Sequence, residues 1–164
     1  MCIRDSPYFY FTWGAAISEA LLDINTGESR ILRADIVQDC GNSLNENIDI
    51  GQIEGGFIQG LGWLTCEELC FSKEGKLLTT GPSTYKLPGS RDIPQIFNVK
   101  LLEKADNEEK TIFRSKAVGE PPLLLAISHF LALKEAIRAS STNSRPELLN
   151  SPATPSEILK VLKV

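Results

Sequence analysis

The chain has 164 residues, 42% of them hydrophobic, enough for one packed domain or a large part of one. A net charge of −4 and the lack of any dense Lys/Arg block exclude a nucleic-acid surface. No apolar run reaches membrane-spanning length and no signal peptide opens the sequence, which reads as a cytoplasmic protein.

Met1–Ser6 carries no periodic pattern and reads as a truncation or assembly segment, so the domain proper is expected over residues 7–164. Pro7 to Trp13 then holds five aromatics in seven positions, a segment that needs walls to bury it. Ala15–Ile24 and Arg30–Val37 read as two strands joined by the Asn25–Glu28 turn, whose Asn/Gly chemistry signals a hairpin. Ile53, Phe57, Leu61 and Leu64 recur at helical spacing, which predicts a helix over Ile50–Leu69. Lys73–Lys76 is a turn, Leu77–Thr80 a short strand, and Gly81–Pro94 a Gly/Pro-rich loop. Phe97, Val99 and Leu101 alternate with polar residues, so Ile96–Leu102 is a half-buried strand, followed by a charged turn at Asp106–Lys110. A helix is expected over Pro121–Ala139, then a loose polar linker at Ser140–Pro146. Thr154-Pro155-Ser156-Glu157 has capping-box form and starts a short final helix. The sum is an α/β (α+β) fold, a mixed sheet with packed helices.

Two segments stand apart from this pattern. In Ser115-Lys116-Ala117-Val118-Gly119-Glu120-Pro121-Pro122, a carboxylate sits between a glycine and two prolines at a helix start. Prolines suit a first helical turn, and the partial positive charge of a helix N-terminus favours an ionised carboxylate. Glu120 is therefore either a capped helix start or an aimed general base. The second segment, Gly51 to Gly62, spends five glycines inside a helical pattern, at about 1 kcal/mol each relative to alanine. Close packing of another helix, or approach of a cofactor, would offset that cost. The spacing is not that of a dinucleotide loop.

The remaining chemistry-bearing residues take plainer readings. Cys2, Cys40, Cys66 and Cys70 form neither a disulfide framework nor a metal set, although Cys66 and Cys70 could share a helical face. No protein metal ligand is expected. His129, the only histidine, lies in an apolar helix and reads as a satisfied or partly exposed core residue. Tyr85 and Lys86 read as loop anchors.

Gly51–Gly62, Gly81-Pro82-Ser83-Thr84-Tyr85-Lys86-Leu87-Pro88 and Ser115–Pro122, in this order, resemble the molybdopterin-binding part of the xanthine dehydrogenase/aldehyde oxidase family. Ser151-Pro152-Ala153-Thr154-Pro155 is similar to the family's closing motif. The resemblance covers Pro7 to the end and fits the C-terminal part of the molybdenum domain. It implies Glu120 as the catalytic base, taking the proton of a molybdenum-bound hydroxyl that attacks a purine ring carbon, with hydride passing to a sulfido ligand. It implies Gln52 as a contact to the molybdenum–molybdopterin cofactor, its amide able to donate and accept. It further implies partners outside this sequence: the preceding part of the molybdenum domain, 2Fe-2S clusters and FAD on their own modules, and a purine such as hypoxanthine or xanthine as substrate. Two alternatives stay open, a sister hydroxylase of aldehydes or other N-heterocycles, and a non-catalytic half-domain that only packs against a partner.

Overall fold

The computed structural model describes residues 8–162, so Met1–Ser6 lies outside the described residues. β1 (Gly14–Leu22) and β2 (Ser29–Gln38) form the expected antiparallel hairpin, with Ala16 opposite Ile36. Asp23 closes the turn, its carbonyl accepting from the Gly27 N–H at 2.8 Å and its carboxylate from Asn25 N–H at 2.8 Å. β3 (Ile96–Leu101) runs parallel to β2 on its other side, with Ile36 opposite Val99, giving the order β1-β2-β3. The sheet is mixed, as the pattern implied. Parallel neighbours need a crossover, and α1 (Glu46–Thr65) provides it.

One face of the sheet carries the helices. Ile36 and Ala34 of β2, Ile53, Phe57 and Leu61 of α1, and Val118 form the principal core, and Phe57 meets Phe97 of β3 with ring centroids 5.5 Å apart. A second cluster joins Leu133 and Ile137 of α2 (Ile127–Ser140) to Leu149, Ala153, and Ile158 and Val161 of α3 (Pro155–Leu162). The opposite face leaves Ile17, Val37 and Ile96 exposed around an Arg33–Asp35–Asn98 hydrogen-bonded group. The aromatic lead-in is mostly bare too: Tyr8, Phe9, Phe11 and Trp13 are exposed, while Tyr10 is half-buried.

Several elements differ from the sequence reading. α1 begins at Glu46 rather than Ile50, because the Asn45 side chain accepts from the Ile48 N–H at 3.2 Å and caps it. It ends at Thr65, where the Thr65 hydroxyl donates back to the Leu61 carbonyl at 2.7 Å. Cys66 and Cys70 consequently do not share a helical face, and both are free. Leu77–Thr80 is not a strand: the turn before it closes through a single Phe71–Leu77 bridge, and no sheet edge is there to extend the pairing.

The Pro121–Ala139 helix is two pieces, a 3-10 turn set at Pro121–Ala126 running into α2. Consecutive prolines at its first positions supply no N–H, and the first bond is the tight one from Leu123 N–H to Glu120 O at 3.1 Å. The 140–146 linker is pinned rather than loose. Ser144 donates to the Ile137 carbonyl at 2.8 Å, and Arg145 N–H to the Val161 carbonyl at 2.9 Å. Thr154 caps α3 as expected, accepting from Glu157 N–H at 3.4 Å.

Candidate functional site

The glycine-rich helix α1 sorts its glycines onto two faces. Gly56 and Gly60 are buried against the 119–126 segment: a Cβ at Gly56 would lie 3.1 Å from Gly119 O and one at Gly60 only 2.2 Å from Leu123 O. These two are packing glycines. Gly51 and Gly55 have no atom within 4 Å of a Cβ position and lie on the exposed side of the helix. The contrast predicts opposite mutational signs. Gly60→Ala must push backbone away and is expected to cost about 1–3 kcal/mol. Gly55→Ala meets open space and gains up to roughly 1 kcal/mol of helix propensity. Urea unfolding of the two variants checks this, and equal effects would mean α1 is not seated on the 119–126 segment.

That seat brings the two sequence-predicted site residues together. Gln52 is exposed on α1, and its Oε1 lies 3.4 Å from where a Cβ of Gly119 would be. Glu120 follows immediately, also exposed, with φ −90° and ψ −40°. It stands at the helix start as expected, its carbonyl accepting from the Leu123 N–H, while its side chain makes no capping hydrogen bond. The Gln52 amide thus reaches the residue that precedes Glu120, and both side chains are exposed.

Among residues the sequence reading left aside, Asp39 connects to the same motif. It is buried at the end of β2 and its Oδ2 accepts from Lys116 Nζ at 2.6 Å, inside the Ser115–Pro122 motif. The long separation of the partners, 77 positions, gives no local signal for it.

Other candidates lie elsewhere. Tyr85 donates from its hydroxyl to Glu67 just beyond α1, which pushes the phenol pKa up, and Lys86 donates to the Ser83 carbonyl at 3.0 Å. A cavity of about 370 Å³ opens at the far end of α1, lined by Leu61, Cys66, Arg91 and His129 among others. Neither Gln52 nor Glu120 lines it. His129 is 1% exposed, and its Nδ1 has no hydrogen-bond partner, so it is not the satisfied or partly exposed residue expected. Burial pushes its pKa down to about 4. Among the described residues no group of three His, Cys, Asp or Glu side chains gathers as a metal ligand set, and no helix is long and apolar enough to cross a membrane.

Residues 3–94 match the molybdopterin cofactor-binding domain family. The chain belongs to that family. This molybdopterin-binding-domain chain is 53% identical over 159 residues to a xanthine dehydrogenase/oxidase of Felis catus, covering 93% of the chain and 12% of the cat protein. Against a xanthine dehydrogenase of Dictyostelium discoideum it is 49% identical over 152 residues, covering 91% of the chain and 11% of that protein. Among solved structures, quinoline 2-oxidoreductase from Pseudomonas putida 86 superposes with a TM-score of 0.75 at 27% identity, over 87% of this chain and 17% of the other. The chain therefore spans about one eighth of the length of the curated relatives it matches.

Proposed function

We propose that residues 7–164 are the C-terminal part of the molybdenum-cofactor domain of a xanthine dehydrogenase, an oxidoreductase that takes hypoxanthine and xanthine to urate. The observation that carries this reading is the placement of the Gln52 amide against Gly119, the residue that precedes Glu120, across two distant motifs. The similarity to xanthine dehydrogenases along nearly the whole chain supports the substrate class.

The residues fit the cofactor. Gly51 and Gly55 leave the α1 backbone open to a flat ligand, and the exposed Gln52 amide beside them offers both donors and an acceptor. Gln52 would hold molybdopterin there, and the bound group would supply the two-electron redox chemistry. Glu120 receives a proton on a carboxylate oxygen, as a general base does. Pro121, directly after it, restricts the Glu120 backbone. The rest of the molybdenum domain and the 2Fe-2S and FAD modules, on this polypeptide or another, complete the enzyme, which works in the cytoplasm.

Substrate competition in the purified full-length protein tests the reading. A kcat/KM for xanthine at least tenfold above that for an aldehyde or quinoline is expected, and the reverse order would assign a sister hydroxylase. Gln52→Ala is expected to weaken retention of molybdopterin about tenfold, the size of one or two lost hydrogen bonds. Unchanged cofactor content during dialysis would remove Gln52 from the cofactor site.

A further inference from the structure

We propose that the buried Asp39–Lys116 ion pair is the positioning element of Glu120, a role that rests on Glu120 being the base. Lys116 stands four positions before Glu120, and buried Val118 between them anchors the intervening chain in the core. The pair is nearly dry, with side-chain exposures of 10% for Lys116 and 1% for Asp39. Asp39 Oδ1 accepts from Gly41 N–H at 2.9 Å, so both carboxylate oxygens are used. Lys116 N–H donates to the Cys40 carbonyl at 2.7 Å, and Gly41 bridges Ser115 in antiparallel fashion. Gly41 has φ +64° and room for no side chain, since a Cβ would lie 2.3 Å from Arg114 O. Residues 39–41 and 114–116 are therefore strapped by main chain and by charge together.

The approach to this strap is strained. Phe113 and Arg114 both take left-handed backbone, φ 50° and 59°, at about 1–2 kcal/mol each for residues with a Cβ. The Arg114 guanidinium donates to Asn107 O at 2.9 Å, and the buried Asn107 amide donates to Ser115 O at 3.3 Å. Beyond the strap, Ala117 N–H donates to the Tyr10 hydroxyl at 2.9 Å. A strained loop held from both sides is a loop whose exit direction is specified.

Net stability does not account for the pair. Desolvating two charges offsets most of their attraction, and replacing both by neutral groups of similar size is often neutral or stabilising. What the pair supplies is register: only one placement of the 115–118 chain neutralises the Lys116 ammonium. A misplacement of about 1 Å in a catalytic group is enough to cost on the order of 10²-fold in rate.

The test is the double variant Asp39→Asn/Lys116→Met in the full-length, cofactor-loaded enzyme, beside Lys116→Arg, which keeps the charge. The double variant is expected to lose at least tenfold in kcat with KM within about threefold, at unchanged molybdenum content. Amide hydrogen exchange at Ala117–Glu120 is expected to accelerate at least tenfold in it, and Lys116→Arg to restore both readouts to within about threefold. Wild-type kcat with unchanged exchange in the double variant overturns the proposal. Should the double variant fail to fold, exchange in the wild type decides: Lys116 and Ala117 amides protected like β2 support the strap, and amides as fast as those of residues 103–105, just after β3, overturn it. Glu120→Gln, run in parallel, separates the two readings. Lost turnover there with a wild-type-like double variant overturns positioning and leaves the base assignment standing, whereas full turnover in Glu120→Gln overturns the base assignment and the positioning role with it.

Discussion

Glu120→Gln in the cofactor-loaded full-length enzyme is expected to lower xanthine turnover about 10²–10⁴-fold, the usual span of a general-base contribution. The substitution keeps the shape of the side chain and removes its capacity to take a proton. Glu120 makes no capping hydrogen bond, so no helix-start interaction is lost with it. Its exposure likewise removes packing as a confounding cause. Thermal stability and molybdenum content should therefore match the wild type, and the loss should fall on kcat. Near-normal turnover in a metal-replete variant would transfer the base role to another residue.

Stability of the chain is expected to fall by about 2–3 kcal/mol between pH 7 and pH 4.5 through His129 alone. The imidazole is buried, its Nδ1 unpartnered, and its pKa lies at about 4 against 6.5 for the free side chain. Below pH 6.5 the unfolded chain binds a proton that the folded chain does not. Folding thus loses ground as pH falls, and the loss levels off below about pH 4, where both states are protonated. His129→Leu removes this dependence, and at pH 7 it should be more stable by about 1 kcal/mol because no orphaned nitrogen remains. Urea titrations of both proteins at several pH values measure the gap. A gap that stays constant from pH 7 to 4.5 would mean the native imidazole is solvated or paired.

Local chemistry made much of the fold readable. The Asn25–Glu28 turn, the alternation at Phe97–Leu101 and the Thr154 cap each act within a few residues, and each appears in place. Leu77–Thr80 has strand-like composition but no edge to pair with, a fact that only the assembled sheet contains. The start of α1 is legible in Asn45, a capping residue shortly before the apolar periodicity that begins near Ile50. Around the candidate site, the glycine cost pointed to close approach without saying which glycines served it. Asp39 was silent because its partner lies 77 positions away, and no spacing rule reaches that far.

At Gly56 and Gly60, the nearest atoms of the 119–126 segment belong to the Gly119 and Leu123 peptide groups, the Pro122 ring and the Ala126 methyl, so the contact there is main chain and short, stiff groups. Side-chain rotamers flip on fast timescales and let ordinary helix contacts breathe, while a main-chain contact has far less give. The spacing between the backbones of Gln52 and Glu120 is thus less sensitive to rotamer changes in the apolar interior than a contact between long side chains would be. Substitutions at Phe57 or Ile53 will be felt as a lower melting temperature well before they are felt as a changed distance across the site. Drift in the core sequence can proceed while the geometry at the surface is kept, as a hinge pin keeps two plates aligned whatever they are made of.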